Sequence, residues 1–450
     1  MSQPRGEVRR LLELAFPVVA TQVGSMMLGL VDIYMVGQLG KEAIAAVSLG
    51  DLWVFGTLII GIGVIMGMDP IVTQAHGAGR GERAGLALQR GIVLALLVSV
   101  PITGLWLLTE PILSLADQDA ELLADAHRYN WMQSFSVAPF LVFSALRQYL
   151  QGRGIVSAPL IVVVIANGFN VLANWALIFG HLGLPALGIE GAGIATGLTR
   201  TFMMIALIVL IWRAKLHRDA WVPWSRASFS LRGVGELLRY GIAIAAHLVL
   251  EVWAFNLSTL YAGQLRPADL SLSAHVLTLK IASFSFMVPL AVGFAATTRV
   301  GNLLGARETE LAQRAAWVAL ALGCGAMAAF AILFILLRYE LPGIFTDDAS
   351  VIALAATVLP IAAAFQLFDG TQAVGSGILR GMGQTTPALL INLLGFYGIA
   401  LPLGWWLTFQ KDWGLSGIWW GMCTGLGVVA LLFLYRIAVR GPRTVTEFAV

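Results

Sequence analysis

Five acids interrupt otherwise apolar runs of this chain: Asp32, Asp51, Asp69, Glu251 and Asp369. Asp32 stands in "LGLVDIYMVGQLG", residues 28–40, which is apolar enough to lie in lipid. A carboxylate at the middle of a bilayer costs roughly 2.5–3.5 kcal/mol even on mild insertion scales. That cost is offset only if the side chain binds a proton, binds a cation or is held by polar neighbours. Asp32 is 22 residues past Arg10 and 9 before Lys41, about 13 Å of helix from the latter. Asp51 and Asp69 lie toward the ends of their run, where interfacial water is within reach and a structural role is expected.

Candidate partners for Asp32 occur in "NGFNVLANW". Asn167, Asn170 and Asn174 are spaced to share one helical face. Their amide oxygens suit a hard cation, and the same amides serve equally as interhelical glue. Glu251 lies 12 residues beyond Arg239 and Asp369 lies 11 before Arg380, so both sit at similar depth. They suggest a second cation or substrate site, or an ion pair with Lys280. Aromatic and methionine side chains flank the acids. Met27, Tyr34, Met35, Trp253, Phe255, Phe284 and Met287 are the candidates to line a cleft for flat cations. His76, His247 and His275 have no metal-ligand spacing, and Cys324 and Cys423 form no CxxC or zinc pattern. No cofactor is expected, and no catalytic motif of an enzyme is present.

Positioning such residues requires membrane helices. The chain has 450 residues, of which 58% are hydrophobic and 12% charged, about half the charged share of a soluble domain. A helix crosses a bilayer with about 20 apolar residues. Twelve spans are expected, at 11–39, 44–75, 85–109, 122–150, 156–180, 189–213, 235–264, 272–303, 312–338, 350–380, 386–409 and 415–437. Of the 28 Lys and Arg residues, 21 fall on one side of this arrangement, four on the other and three within spans. The positive-inside rule then places both termini in the cytoplasm. The net charge of +3 points to topology rather than nucleic-acid binding. The start, "MSQPRGEVRRLLELAFPVVA", reads as a retained first helix.

The chain also repeats itself. "YMVGQLGKEAIAAVSL" at 34–49 resembles "LYAGQLRPADLSLSAH" at 260–275, and "LQGRGIVSAP" at 150–159 resembles "LRGMGQTTP" at 379–387. Six spans per repeat gives both halves one orientation, related by an axis along the membrane normal. The expected organisation is an all-α polytopic membrane protein of two six-helix bundles. The first bundle covers 1–215, a cytoplasmic linker 216–234, and the second bundle 235–450.

The motifs "FPVVATQ…LVDIYMVGQLG", "PIVTQAHGAGR", "TTRVGNLLGAR" and "FQLFDGTQAVGSGILRGMGQTTP" resemble the multidrug and toxic-compound extrusion (MATE) family, in its bacterial NorM-like branch. The resemblance covers essentially the whole chain. It implies a monomeric, cation-coupled antiporter of the bacterial inner membrane that exports organic cations in exchange for H+ or Na+. It matches the cation site of the first half to Asp32, Asn170, Asn174 and Thr196, which is where Na+ would bind. Acidic residues of the second-half site match Glu251 and Asp369. Lys280 and Phe365 depart from the family's pattern, where relatives carry a neutral polar residue and, in some Na+-coupled members, a tyrosine. Both departures favour proton coupling. The alternative is a lipid-linked precursor flippase of the same distant superfamily, but the embedded charges here are mostly acidic.

Overall fold

A computed structural model describes residues 4–114, 120–446 and 449. Every long element is helical. In chain order these are α1 (Pro4–Val36), α2 (Lys41–Ile65), α3 (Asp69–Gly77), α4 (Gly81–Leu107), α5 (Ala120–Gln133), α6 (Val137–Gly152) and α7 (Ser157–Phe179). There follow α8 (Gly188–Arg213), α9 (Leu231–Gly263), α10 (Ala268–Gly305), α11 (Thr309–Leu336), α12 (Ala349–Gly381), α13 (Thr385–Leu393) and α14 (Gly414–Arg440). Eleven continuous helical stretches among the described residues are long and apolar enough to cross a membrane. The expected fourth span, 122–150, is instead two helices, α5 and α6, joined by a tight turn at Ser134–Ser136. Neither piece spans alone by the same criterion, which is why eleven rather than twelve are continuous. The span that begins with α13 runs on to Gln410 through widened π-helical turns at Leu394–Ala400 and Trp406–Gln410. Pro402, just beyond the first widened turn, has no N–H to donate, and a π turn absorbs that loss without ending the helix.

The chain forms two compact units. One is Ala20–Ala245; the other joins Met1–Val19 to Ala246–Val450. The boundary falls inside α1 two residues past Pro17, and inside α9. In the unit Ala20–Ala245, Trp106 is fully buried and its indole N–H donates 2.7 Å to the Thr57 hydroxyl. The segment after α8 is built into this unit rather than left as a loose strap. Gln89 donates to the Val222 carbonyl at 2.6 Å, Tyr149 to the Ala220 carbonyl at 2.8 Å, and Arg153 to the carbonyls of Leu216 and Arg218.

The other unit is organised around α10, α12 and α14. α10 and α12 approach at backbone distance, because a methyl at Gly377 would overlap the Gly293 carbonyl. The Thr297 hydroxyl uses that proximity to donate to the Gly377 carbonyl at 2.8 Å. Small residues on facing helices are how membrane helices gain contact where lipid supplies no hydrophobic drive. The beginning of α1 belongs here as well. Glu7, 2% exposed, accepts from the Arg299 guanidinium at 2.7 and 2.9 Å, beside the buried Leu11 and Ala15.

Candidate functional site

Three helices of the unit Ala20–Ala245 converge on Asp32. α1 carries the carboxylate, only 3% exposed. α7 brings Asn170 and Asn174, one helical turn apart, whose amide nitrogens donate to Asp32 Oδ1 at 3.0 and 2.6 Å. α8 brings Thr196, whose hydroxyl donates to Asp32 Oδ2 at 2.8 Å. Thr199, one turn further along α8, lies 3.5 Å from the Asn170 amide. Asn167, expected on the same helical face, turns away: it donates to the carbonyls of Gly24 and Val163 at 2.9 and 2.8 Å. Of the three amides, one is interhelical glue and two clasp the carboxylate. Hydrogen bonds to a charged group contribute about 1.5–3 kcal/mol each. Three of them exceed the roughly 2.5–3.5 kcal/mol cost of placing a carboxylate at mid-membrane. The Oδ1 atoms of Asn170 and Asn174 remain buried without a hydrogen-bond partner.

A second layer surrounds this clasp, and the sequence reading did not assign it. Tyr129 on α5 donates 2.9 Å to Asp51 on α2. Arg200 on α8 donates to Gln133 at 2.9 Å and lies over the rings of Trp106 and Phe140, 5.5 and 5.4 Å from their centroids. Its positive charge acts on Asp32 and Asp51 together. Arg200 lies four residues, about one turn, beyond Thr196, so its helical register with the clasp was available from the sequence.

In the other unit, α9 and α12 assemble a polar chain in an apolar setting. His247 and Glu251, one turn apart on α9, approach at 3.4 Å. The Gln372 amide nitrogen lies 3.3 Å from His247 Nε2 and 3.4 Å from Glu251 Oε2, and it donates to Asn392 Oδ1 at 3.1 Å. Ser376 lies 3.4 Å from His247 Nδ1. Asp369, 5% exposed, has one carboxylate oxygen buried without a hydrogen-bond partner, and the charge that faces it is that of Glu251. Lys280 is exposed, and among the described residues it makes no ion pair with either acid. Phe365 is a core residue, 1% exposed, set edge-on to Phe255 and Trp419.

The expected cleft residues are placed unevenly. Tyr34, Trp253, Phe284 and Met27 are exposed, Tyr34 most of all. Met287 is half-buried. Met35 packs beside Val36 and Tyr129, and Phe255 packs into the ring cluster of Phe365 and Phe396. No three His, Cys, Asp or Glu side chains come together among the described residues as a metal cluster would require.

The chain as a whole has relatives of known family. The MatE family model matches the chain twice, at residues 17–176 and 243–406. The starts are 226 residues apart and the ends 230, so each half of the chain repeats the same unit. A probable multidrug resistance protein NorM of Mesorhizobium japonicum is 38% identical over 446 residues, covering 96% of this chain and 94% of that one. A probable NorM of Brucella suis is 33% identical over 439 residues, covering 94% and 91%. The crystal structure of the eukaryotic MATE transporter AtDTX14 superposes with a TM-score of 0.89 at 24% identity, over 98% of this chain and 99% of that one. Two matches of one family model and full-length NorM-like relatives place the chain in the MatE family of multidrug efflux transporters.

Proposed function

We propose that this transporter is an antiporter that exports organic cations in exchange for H+ or Na+, with Asp32 as the coupling group. The observation that carries the reading is the clasp itself: a buried carboxylate held by three neutral donors, with no cation in ion-pair distance among the described residues. The donors stabilise the ionised form. A proton arriving on Asp32 removes the charge those donors are oriented toward, so the protonated clasp favours a different packing of α1, α7 and α8. Na+ has an equivalent route. A half-turn of the Asn170 and Asn174 amides would aim their unpartnered oxygens inward, giving an oxygen set with Asp32 and Thr196 that suits a hard cation. A ligand shifts a conformational equilibrium only by its differential affinity for the two states, and a neutralised Asp32 supplies that difference for alternating access of the two bundles.

Glu251 and Asp369 give the other unit a second place for positive charge. Glu251 acts electrostatically on the buried Asp369, and one proton or one cation taken up there would offset that repulsion. The excess of Lys and Arg on one side supports a topology with both termini in the cytoplasm, and the NorM-like relatives support a bacterial inner-membrane location. The decisive test is ethidium efflux by the purified protein in proteoliposomes energised by a pH gradient alone or a Na+ gradient alone. One of the two should drive efflux in the wild type, and neither should in Asp32→Asn, which keeps the shape of the side chain but cannot carry the charge. Gradient-driven efflux at the wild-type rate in Asp32→Asn would overturn the coupling assignment.

A further inference from the structure

The unit Ala20–Ala245 contains a cavity of about 400 Å3 that the transport reading does not use, in the range of pockets that hold small ligands. Its inner walls are apolar, formed by Ile92 of α4, Val142 and Leu146 of α6, and Ile208 of α8. Its rim is aromatic and polar. Trp212, at the end of α8, meets His217 at a ring distance of 4.2 Å and Trp221 at 5.4 Å, and all three line the cavity. The segment that forms the rim is held by hydrogen bonds from Gln89, Tyr149 and Arg153 to its backbone carbonyls.

Charge decides what such a cavity would take. Between residues 213 and 232 the sequence carries Arg213, Lys215, Arg218, Arg226 and Arg232 against one acid, Asp219. The first four are exposed, and among the described residues none makes an ion pair. An organic cation entering the aromatic rim would meet like charge from this segment. An anionic headgroup would meet opposite charge, while an apolar tail matches the walls. Basic surfaces between membrane helices on the positively charged side recognise acidic lipids in this manner, and Trp side chains favour the same depth.

We propose that the cavity binds one anionic phospholipid, its acyl chain between α4, α6 and α8 and its phosphate against the basic segment 213–226. The test is native mass spectrometry of the full-length protein, released from nanodiscs made of equal parts phosphatidylglycerol and phosphatidylcholine. One phosphatidylglycerol should stay bound to the wild type, in preference to phosphatidylcholine by about tenfold or more. Lys215→Glu/Arg218→Glu alters exposed side chains and should fold; it should weaken phosphatidylglycerol retention at least about tenfold. Ile208→Trp fills the cavity and should abolish retention. Equal retention of the two lipids, or retention unchanged in the charge-reversed protein, would overturn the proposal. So would displacement of the lipid by ethidium, which would make the cavity a place for substrate.

Discussion

Asp32, Asn170 and Asn174 divide their labour in a way that substitution can separate. Asn174→Ala removes one donor to a charged group, which contributes about 1.5–3 kcal/mol. It should tighten the hold on a coupling proton by roughly tenfold to a hundredfold, or loosen the hold on Na+, which loses an amide ligand, and in either case shift the gradient needed for half-maximal efflux. Asn167→Ala, lost from the helix contact with Gly24 rather than from the clasp, should leave that gradient unchanged. A matching shift in Asn167→Ala would show that the clasp acts only as packing. Lys280 gives a prediction in the opposite direction. Exposed and without an ion pair, it should tolerate Lys280→Asn with unchanged efflux and ion preference; an altered preference would restore it to the mechanism. At this scale the sequence was informative where partners share a helix. The i, i+4 spacing of Asn170 and Asn174 is legible from local pattern alone, and so was that of His247 and Glu251, although it was passed over. Thr196 came only through the family resemblance. The Tyr129–Asp51 contact joins residues 78 apart, and nothing in either local pattern indicates the other.

Among the elements, α1 is the one whose role the residue pattern least foretold. Its apolar length was clear, and Pro17 within it removes one backbone donor from the helix. What could not be read is that its first turns pack with residues near 300, because Glu7 looks like a stray acid in a basic terminus. Removing one partner of a buried ion pair costs about 3–5 kcal/mol. Glu7→Gln should therefore lower the midpoint of thermal unfolding in detergent, and Glu7→Gln/Arg299→Met should lose less than the two single changes together. Simple additivity would mean that the pair is not coupled. The break between α5 and α6 is a second case. Residues 122–150 have the length of a span, but at Ser134–Ser136 the helix tightens into a turn, where the Ser136 hydroxyl donates to the Gln133 main-chain carbonyl and Arg200 donates to the Gln133 side-chain oxygen and to the Ser136 hydroxyl.

Over the whole molecule, hydropathy and the positive-charge bias were the strongest signals, since lipid leaves a chain few choices but helices. The internal repeat was visible at an offset that the two family matches reproduce. The path of the segment after α8 was not visible, because basic and aromatic residues look alike in a loose strap and in a packed one. Sidedness has a direct test. In a background with Cys324 and Cys423 replaced, cysteines at Asp219 and Asp347 should react with a membrane-impermeant maleimide from opposite faces, Asp347 from outside the cell. Reaction of both from one face would sink the topology.

The bidentate contact between Glu7 and Arg299 spans 292 residues of chain, which has a meaning for biosynthesis. A ribosome releases the amino end first, so Glu7 has only the looser 3.5 Å contact with Arg10, and not the Arg299 fork, until about two thirds of the polypeptide has been made. Over that interval the nascent first helix holds an acid and the apolar side chains of Leu11 and Ala15 with nothing yet synthesised to cover them. A chain stalled before Arg299 should then present its amino terminus to proteases that the finished protein resists, giving quality control a way to tell an incomplete transporter from a complete one.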